Sequence, residues 1–166
     1  MSKELLTACF IFLATLGFST SAQPLMQANI SATQARQIVD VIIAECSQPG
    51  NLVTVTIAVV DRAGLPVLQI RADTASPHNW ELAFRKAYTA RTFRRTSIEW
   101  RDRMASDAAA SGQLDLANVV ALGGGVPVMM GDTPIGAVGV SGASGGQEAD
   151  TACAEAGIAA ISNELE

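Results

Sequence analysis

Basic side chains crowd into one short stretch of the sequence. Arg85, Lys86, Arg91, Arg94, Arg95, Arg101 and Arg103 fall within residues 85–103, and only Glu99 and Asp102 offset them, which leaves a local charge of +5. From Met104 onward there is no Lys or Arg, and there are eight carboxylates. Arginines at this density offer paired N–H forks suited to a carboxylate or phosphate ligand. They also suit a solvated helix face with ion pairing between subunits. Nucleic acid fits poorly, because the whole chain carries −5 and its remainder is acidic.

Other residue types offer less. His78 is the sole histidine of the chain, so a site built from several histidines is excluded. It falls in the first turn of the basic helix, either as a metal ligand or as an exposed histidine. Gly139-Val140-Ser141-Gly142-Ala143 comes close to a nucleophile elbow, yet its last position is Ala and the histidine lies far upstream. Ser141 therefore reads as the end of a strand. Gly123-Gly124-Gly125 lacks the Gly-Lys-Ser/Thr of a phosphate-binding loop. The 142–146 loop precedes a helix, but Glu148 and Asp150 occupy that helix's first turn and oppose an anion there. No carboxylate pair stands out for acid–base work, which favours binding over conventional catalysis.

These residues belong to a chain of 166, 49% hydrophobic and 16% charged, enough for one domain with a real core. Such a composition excludes a disordered tail, and three cysteines exclude a disulfide-dense scaffold. Residues 1–22 read as a signal peptide: Lys3, an uncharged run over 5–18, then Ser19-Thr20-Ser21-Ala22 as a small-residue exit. The run is short for an anchor, which needs about 20 apolar residues. Leu6-Thr7-Ala8-Cys9 lies too near the start for a lipoprotein box. The expectation is a periplasmic or secreted domain over residues 23–166 with no lasting membrane anchor. Export makes Cys46 and Cys153 a disulfide candidate, against the alternative of two buried free thiols.

Ser31 caps a helix whose apolar positions Ala35, Ile38, Val39, Ile42, Ile43 and Cys46 recur at helical spacing up to Pro49-Gly50. Residues 52–60 and 66–71 read as a hairpin around Asp61-Arg62-Ala63-Gly64. Ser76-Pro77 opens the basic helix, which presents Trp80, Ala83, Phe84 and Ala87 on one face and runs to about Arg95. A shorter helix covers 98–110, and strands follow over 116–122, 126–130 and 135–141. A last helix from Gln147 carries Ala149, Ala152, Cys153, Ala156 and Ala160 on one side. Cys46 and Cys153 meet if the first and last helices pack antiparallel on one side of the sheet. This order predicts an α+β fold, an antiparallel sheet of about five strands flanked by helices.

Four motifs then stand in order: Lys86-Ala87-Tyr88-Thr89-Ala90, Gly123-Gly124-Gly125-Val126-Pro127-Val128, Gly136-Ala137-Val138-Gly139-Val140-Ser141-Gly142, and Asp150 ahead of Ala154-Glu155-Ala156-Gly157. Together they resemble the GlcG/HbpS family, which includes the C-terminal domain of the PduO proteins. The resemblance spans about residues 31–165. It implies a profilin-like or sensory-domain-like layered fold, homo-oligomers and, in several members, haem binding or haem degradation. If the ligand is haem, the charge cluster would let Arg94 and Arg95 meet its propionates, and the sole histidine, His78, would be the axial iron ligand. Tyr88 and Thr96 are further candidate contacts, with packing and helix capping as their structural alternatives. The implied function is capture, storage or sensing of haem or a similar tetrapyrrole. The alternatives are an enzyme of haem degradation or of glycolate-type organic acid metabolism, and an oligomeric scaffold without ligand.

Overall fold

Ser31 starts the first helix through a reciprocal cap. Its Oγ accepts the Gln34 N–H at 3.1 Å, while Gln34 Oε1 accepts the Ser31 N–H at 3.0 Å. The computed structural model describes residues 22–46 and 54–165. The signal-peptide reading, the Pro49-Gly50 stop and residues 52–53 of the first expected strand lie outside them. Helix α1 (Ala32–Cys46) buries Ala35, Ile38, Val39 and Ile42 as one stripe. Strands β1 (Thr56–Asp61) and β2 (Pro66–Arg71) form a hairpin, followed by helices α2 (Asn79–Phe93) and α3 (Ser97–Ser106). Strands β3 (Gly125–Met130) and β4 (Thr133–Ser141) and helix α4 (Gln147–Ala159) complete the regular elements. Every strand pair is antiparallel, in the order β2-β1-β4-β3.

The sheet separates two helical layers. Ile57 and Val59 of β1, with Val138 and Val140 of β4, join α1 and α4 in the larger core. Val60 and Ala137 on the opposite face meet Ala87 and Ala90 of α2. The central strand β1 is therefore buried on both faces. Helix α2 lies close to the sheet because the contact is built from small residues. A Cβ on Gly139 would overlap the Ala83 carbonyl oxygen, and one on Gly125 would overlap that of Lys86. On the other face, Gly157 of α4 lies against Ile42 and Ile38, and Cys46 is bonded to Cys153 with Cα atoms 6.1 Å apart. The two helices thus run antiparallel, and the expected disulfide is formed.

Several local expectations are corrected. Among the described residues the sheet has four strands, not about five. Residues 116–122 form no strand, because their backbone groups are spent on α2. The Val119 carbonyl accepts from the Arg85 guanidinium at 2.7 Å, and the Val120 N–H donates to Thr89 Oγ1 at 3.0 Å. Helix α2 starts at Asn79 rather than after Ser76, since the Ser76 and Pro77 carbonyls take the Asn79 and Trp80 N–H groups in a tight turn. The buried Asn79 side chain also accepts the Ser141 hydroxyl at 3.0 Å, so Ser141 does end a strand. Trp80 falls off the buried face of α2 and is 48% exposed. Helix α3 ends at Ser106 and not at 110, because Asp107 Oδ1 captures the Ala109 N–H at 3.0 Å. The inward residues of α4 are Asp150, Cys153, Ala154 and Gly157, which leaves Ala152 and Ala160 outside.

Asp150 turns inward to meet Lys86. Lys86 Nζ stands 2.7 Å from Asp150 Oδ2 and donates to the Val140 carbonyl at 3.1 Å, while Asp150 Oδ1 accepts the Ala143 N–H at 2.8 Å. Burial pushes the Asp150 carboxyl above its ordinary value, and the Lys86 ammonium and backbone N–H groups pull it back. Lys86→Met strands a buried carboxylate and is expected to cost about 3–5 kcal/mol. Without the ammonium, the folded-state pKa of Asp150 climbs further above the unfolded one. Stability held below the unfolded pKa is then lost as pH rises through the folded pKa, so the deficit deepens as pH rises from the ordinary carboxylate range toward neutrality. Adding Asp150→Asn should remove that pH dependence, and urea denaturation of the three proteins across this range checks it.

The disulfide joins residues 107 apart in sequence. Chain entropy puts the cost of reducing it at up to about 4–5 kcal/mol. Thiol counting on denatured, unreduced protein should find neither Cys46 nor Cys153 reactive, and reductant should lower the unfolding midpoint.

Candidate functional site

The candidate residues are strung along α2. His78 is its cap residue, one position before the first turn, and its side chain is exposed. A hollow of ≈ 220 Å³ lined by His78, Glu81, Leu82 and Arg85 lies there. Trp80, Glu81 and Phe84, with Pro66, Gln69 and Asn118, line an adjoining open groove of ≈ 490 Å³. Gln69 Nε2 donates to the Trp80 carbonyl at 2.6 Å and fixes β2 against the helix at this point. Leu65 and Leu116, 63% and 52% exposed, come one residue before Pro66 and two before Asn118 in the chain. Sequence periodicity misses this groove because it assigns Trp80 to the core.

Tyr88 follows Phe84 by one turn, with ring centroids 6.0 Å apart. Its ring packs on Gly64 in the β1–β2 turn, where φ of +81° and the lack of a side chain let the backbone pass beneath it. Tyr88 therefore serves packing at this position.

At the other end of α2, Arg94 adopts the left-handed conformation, with φ 55° and ψ 38°, and ends the helix at Phe93 rather than at Arg95. Arg94 and Arg95 are exposed. Thr96 caps α3: its Oγ1 accepts the Glu99 N–H at 3.3 Å, and Glu99 Oε2 accepts the Thr96 N–H at 2.9 Å. Arg94, Arg95 and Thr96 thus gather at the α2–α3 corner. His78 lies at the opposite end of the helix from them, about 24 Å away along its axis.

Folding divides the rest of the basic cluster. Lys86 is buried with Asp150. Arg101 pairs with Asp102 at 2.9 Å and Glu148 at 3.2 Å, and Arg85 with Glu81 at 3.3 Å. These acidic partners all belong to the same chain, and the Lys86 pair is buried rather than on the surface. Arg91 instead shares a hollow with Arg62 of the β1–β2 turn, a residue outside the 85–103 cluster that only the fold brings near.

Among the described residues, no three His, Cys, Asp or Glu stand close enough to hold a metal ion. His78 therefore fits as a single protein ligand to iron already held by a tetrapyrrole, not as part of a metal cage. The adjoining Trp80 and Phe84 rings fit the apolar face of such a group. No described helix is long and apolar enough to cross a membrane.

Comparison with known proteins agrees with this architecture. The model of the family described as "Haem degrading protein HbpS-like" matches residues 30–159. An uncharacterised 15.0 kDa protein from the dhaT–dhaS intergenic region of Citrobacter freundii is 34% identical over 134 residues, covering 79% of this chain and 91% of that protein. The crystal structure of HbpS aligns with a TM-score of 0.76 at 30% identity, over 85% of this chain and 98% of that one. The crystal structure of a PduOC:heme complex aligns with a TM-score of 0.72 at 28% identity, over 81% of this chain and 96% of that one. From its ordered motifs to its layered four-stranded sheet, the chain belongs to the HbpS-like branch of protein architecture, the GlcG/HbpS family.

Proposed function

We propose that the protein is exported and binds haem or a similar tetrapyrrole against the N-terminal half of α2, for capture, storage or sensing. The observation that carries this reading is the exposed aromatic groove. Trp80 is 48% exposed, whereas Trp100, the other tryptophan, is 1% exposed and stacked on Phe93 with centroids 3.5 Å apart. A flat apolar ligand laid on Trp80 and Phe84 removes that surface from water. His78, just before the helix, offers an imidazole to the iron. The haem complex of the PduOC relative and the family's description support the same reading. The signal-peptide pattern of residues 1–22 supports export. Exposed Leu65 and Leu116 offer apolar surface on which a second copy would close, consistent with a homo-oligomer.

Hemin titrated into the processed protein should give a saturating Soret shift and quench the emission of Trp80 before that of Trp100. Trp80→Ala is expected to weaken hemin tenfold or more, about 1.4 kcal/mol, while its folding stability stays within about 1 kcal/mol of wild type. His78→Ala should move the Soret band with a smaller change in affinity. Light scattering should find a particle larger than one chain. No saturable shift in the wild type, or unchanged titrations in both variants, would refute the reading.

A further inference from the structure

We propose that Arg62, Arg91 and Asn29 form a polar site for a carboxylate group, at the end of α2 opposite His78. Together with Gln27 and Ala63 they line a hollow of ≈ 230 Å³. It lies between the β1–β2 turn, the last turn of α2 and the segment that leads into α1. Two guanidinium groups facing one hollow repel each other unless an anion stands between them.

The surrounding groups leave that place open. Asp61 turns its Oδ1 to the Ala63 and Leu65 N–H groups, at 2.8 and 2.9 Å, and so shapes the turn. Asn29 Oδ1 accepts the Arg62 backbone N–H at 2.9 Å, which directs the donor capacity of its amide elsewhere. Arg91 Nε is buried and has no hydrogen-bond partner among the described residues. Arg91 as a whole is only partly buried and lines the hollow, so the rest of its guanidinium stays open to an arriving oxygen.

Arg94 adds a third positive charge. The Arg91 pKa is lowered by burial first, then by Arg62 and Arg94, with Asp61 opposing. Arg94 holds its left-handed φ of 55° where glycine would be unstrained. Strain retained at a charged residue is accounted for when the charge is used. A planar, two-oxygen carboxylate matches a guanidinium fork, and a hollow of this size suits such a group rather than a whole macrocycle. The carboxylate comes from a free small organic acid or from a propionate arm of a tetrapyrrole lying along α2. Only the second source rests on the haem reading.

Three probes separate these sources: succinate by calorimetry, and hemin and hemin dimethyl ester by optical titration. Each is applied to the wild type, Arg91→Gln and Arg94→Gly. Arg91→Gln is expected to weaken at least one carboxylate-bearing probe tenfold or more and to leave the ester unchanged. A loss confined to hemin assigns the hollow to propionates, and a loss of succinate assigns it to a free acid. Arg94→Gly relieves the left-handed backbone, so it should raise the melting temperature while weakening the same probe several-fold, which separates lost charge from lost folding. The site is overturned if no carboxylate-bearing probe binds the wild type. It is also overturned if Arg91→Gln leaves all probes unchanged or weakens hemin and its ester equally. Succinate binding through Arg91 in a protein that binds no hemin would end the haem reading and keep this one.

Discussion

The ammonium of Lys86 and the carboxylate of Asp150 meet at 2.7 Å where α2, the end of β4 and the first turn of α4 come together. Neither charge is tolerable in that place alone, so each requires the other and the backbone groups around them. This requirement reaches far along the chain. A Cβ on Gly124 would stand 2.8 Å from Asp150 Cβ and 3.0 Å from Lys86 Cδ, and one on Gly125 would overlap the Lys86 carbonyl. Gly139 makes room for the turn of α2 that carries Lys86, and Val140 lends its carbonyl. The four motifs that mark the family in sequence are thus parts of one junction. They fix how the two helical layers sit on the sheet.

Once α2 is held this way, its middle is committed to packing and its ends are left for chemistry. Ala83, Lys86, Ala87 and Ala90 face the protein interior. The N-terminal end presents an imidazole and two aromatic rings beside an open groove. The C-terminal end gathers guanidinium groups, which the negative end of the helix dipole favours. The separation along one rigid rod means that an amphiphilic ligand would be recognised by position as well as by chemistry.

The order of elements is legible in the sequence because caps, turn residues and apolar periodicity agree over α1, the hairpin and β4. The Cys46–Cys153 pairing follows from compartment and helix faces together. The helix-end errors are local, at Asp107 and in the Ser76–Pro77 turn, whereas elsewhere side chains outside an element decided its geometry. Residues 116–122 have strand-like composition, but Arg85 and Thr89 take their backbone groups. The alanines of α4 suggest a buried face that includes Cys153, but Asp150, Ala154 and Gly157 turn the buried stripe away from Ala152 and Ala160. Lys86 occupies a buried position one residue before Ala87, and a lysine on a buried stripe demands a carboxylate partner; that signal was present. The hollow shared by Arg62 and Arg91 was not legible, because a hairpin turn and a helix end become neighbours only in the folded chain.

The bridge between α1 and α4 also defines a covalent ring. Every strand, α2 and α3 lie between Cys46 and Cys153 and therefore inside it. A protease cut anywhere within that ring leaves one connected molecule, whose pieces remain tethered for refolding. Along the covalent chain, tension applied at the two ends can pass from α1 through the sulfur atoms to α4 without running through the strands. The β-layer that supports α2 thus lies off the covalent load path.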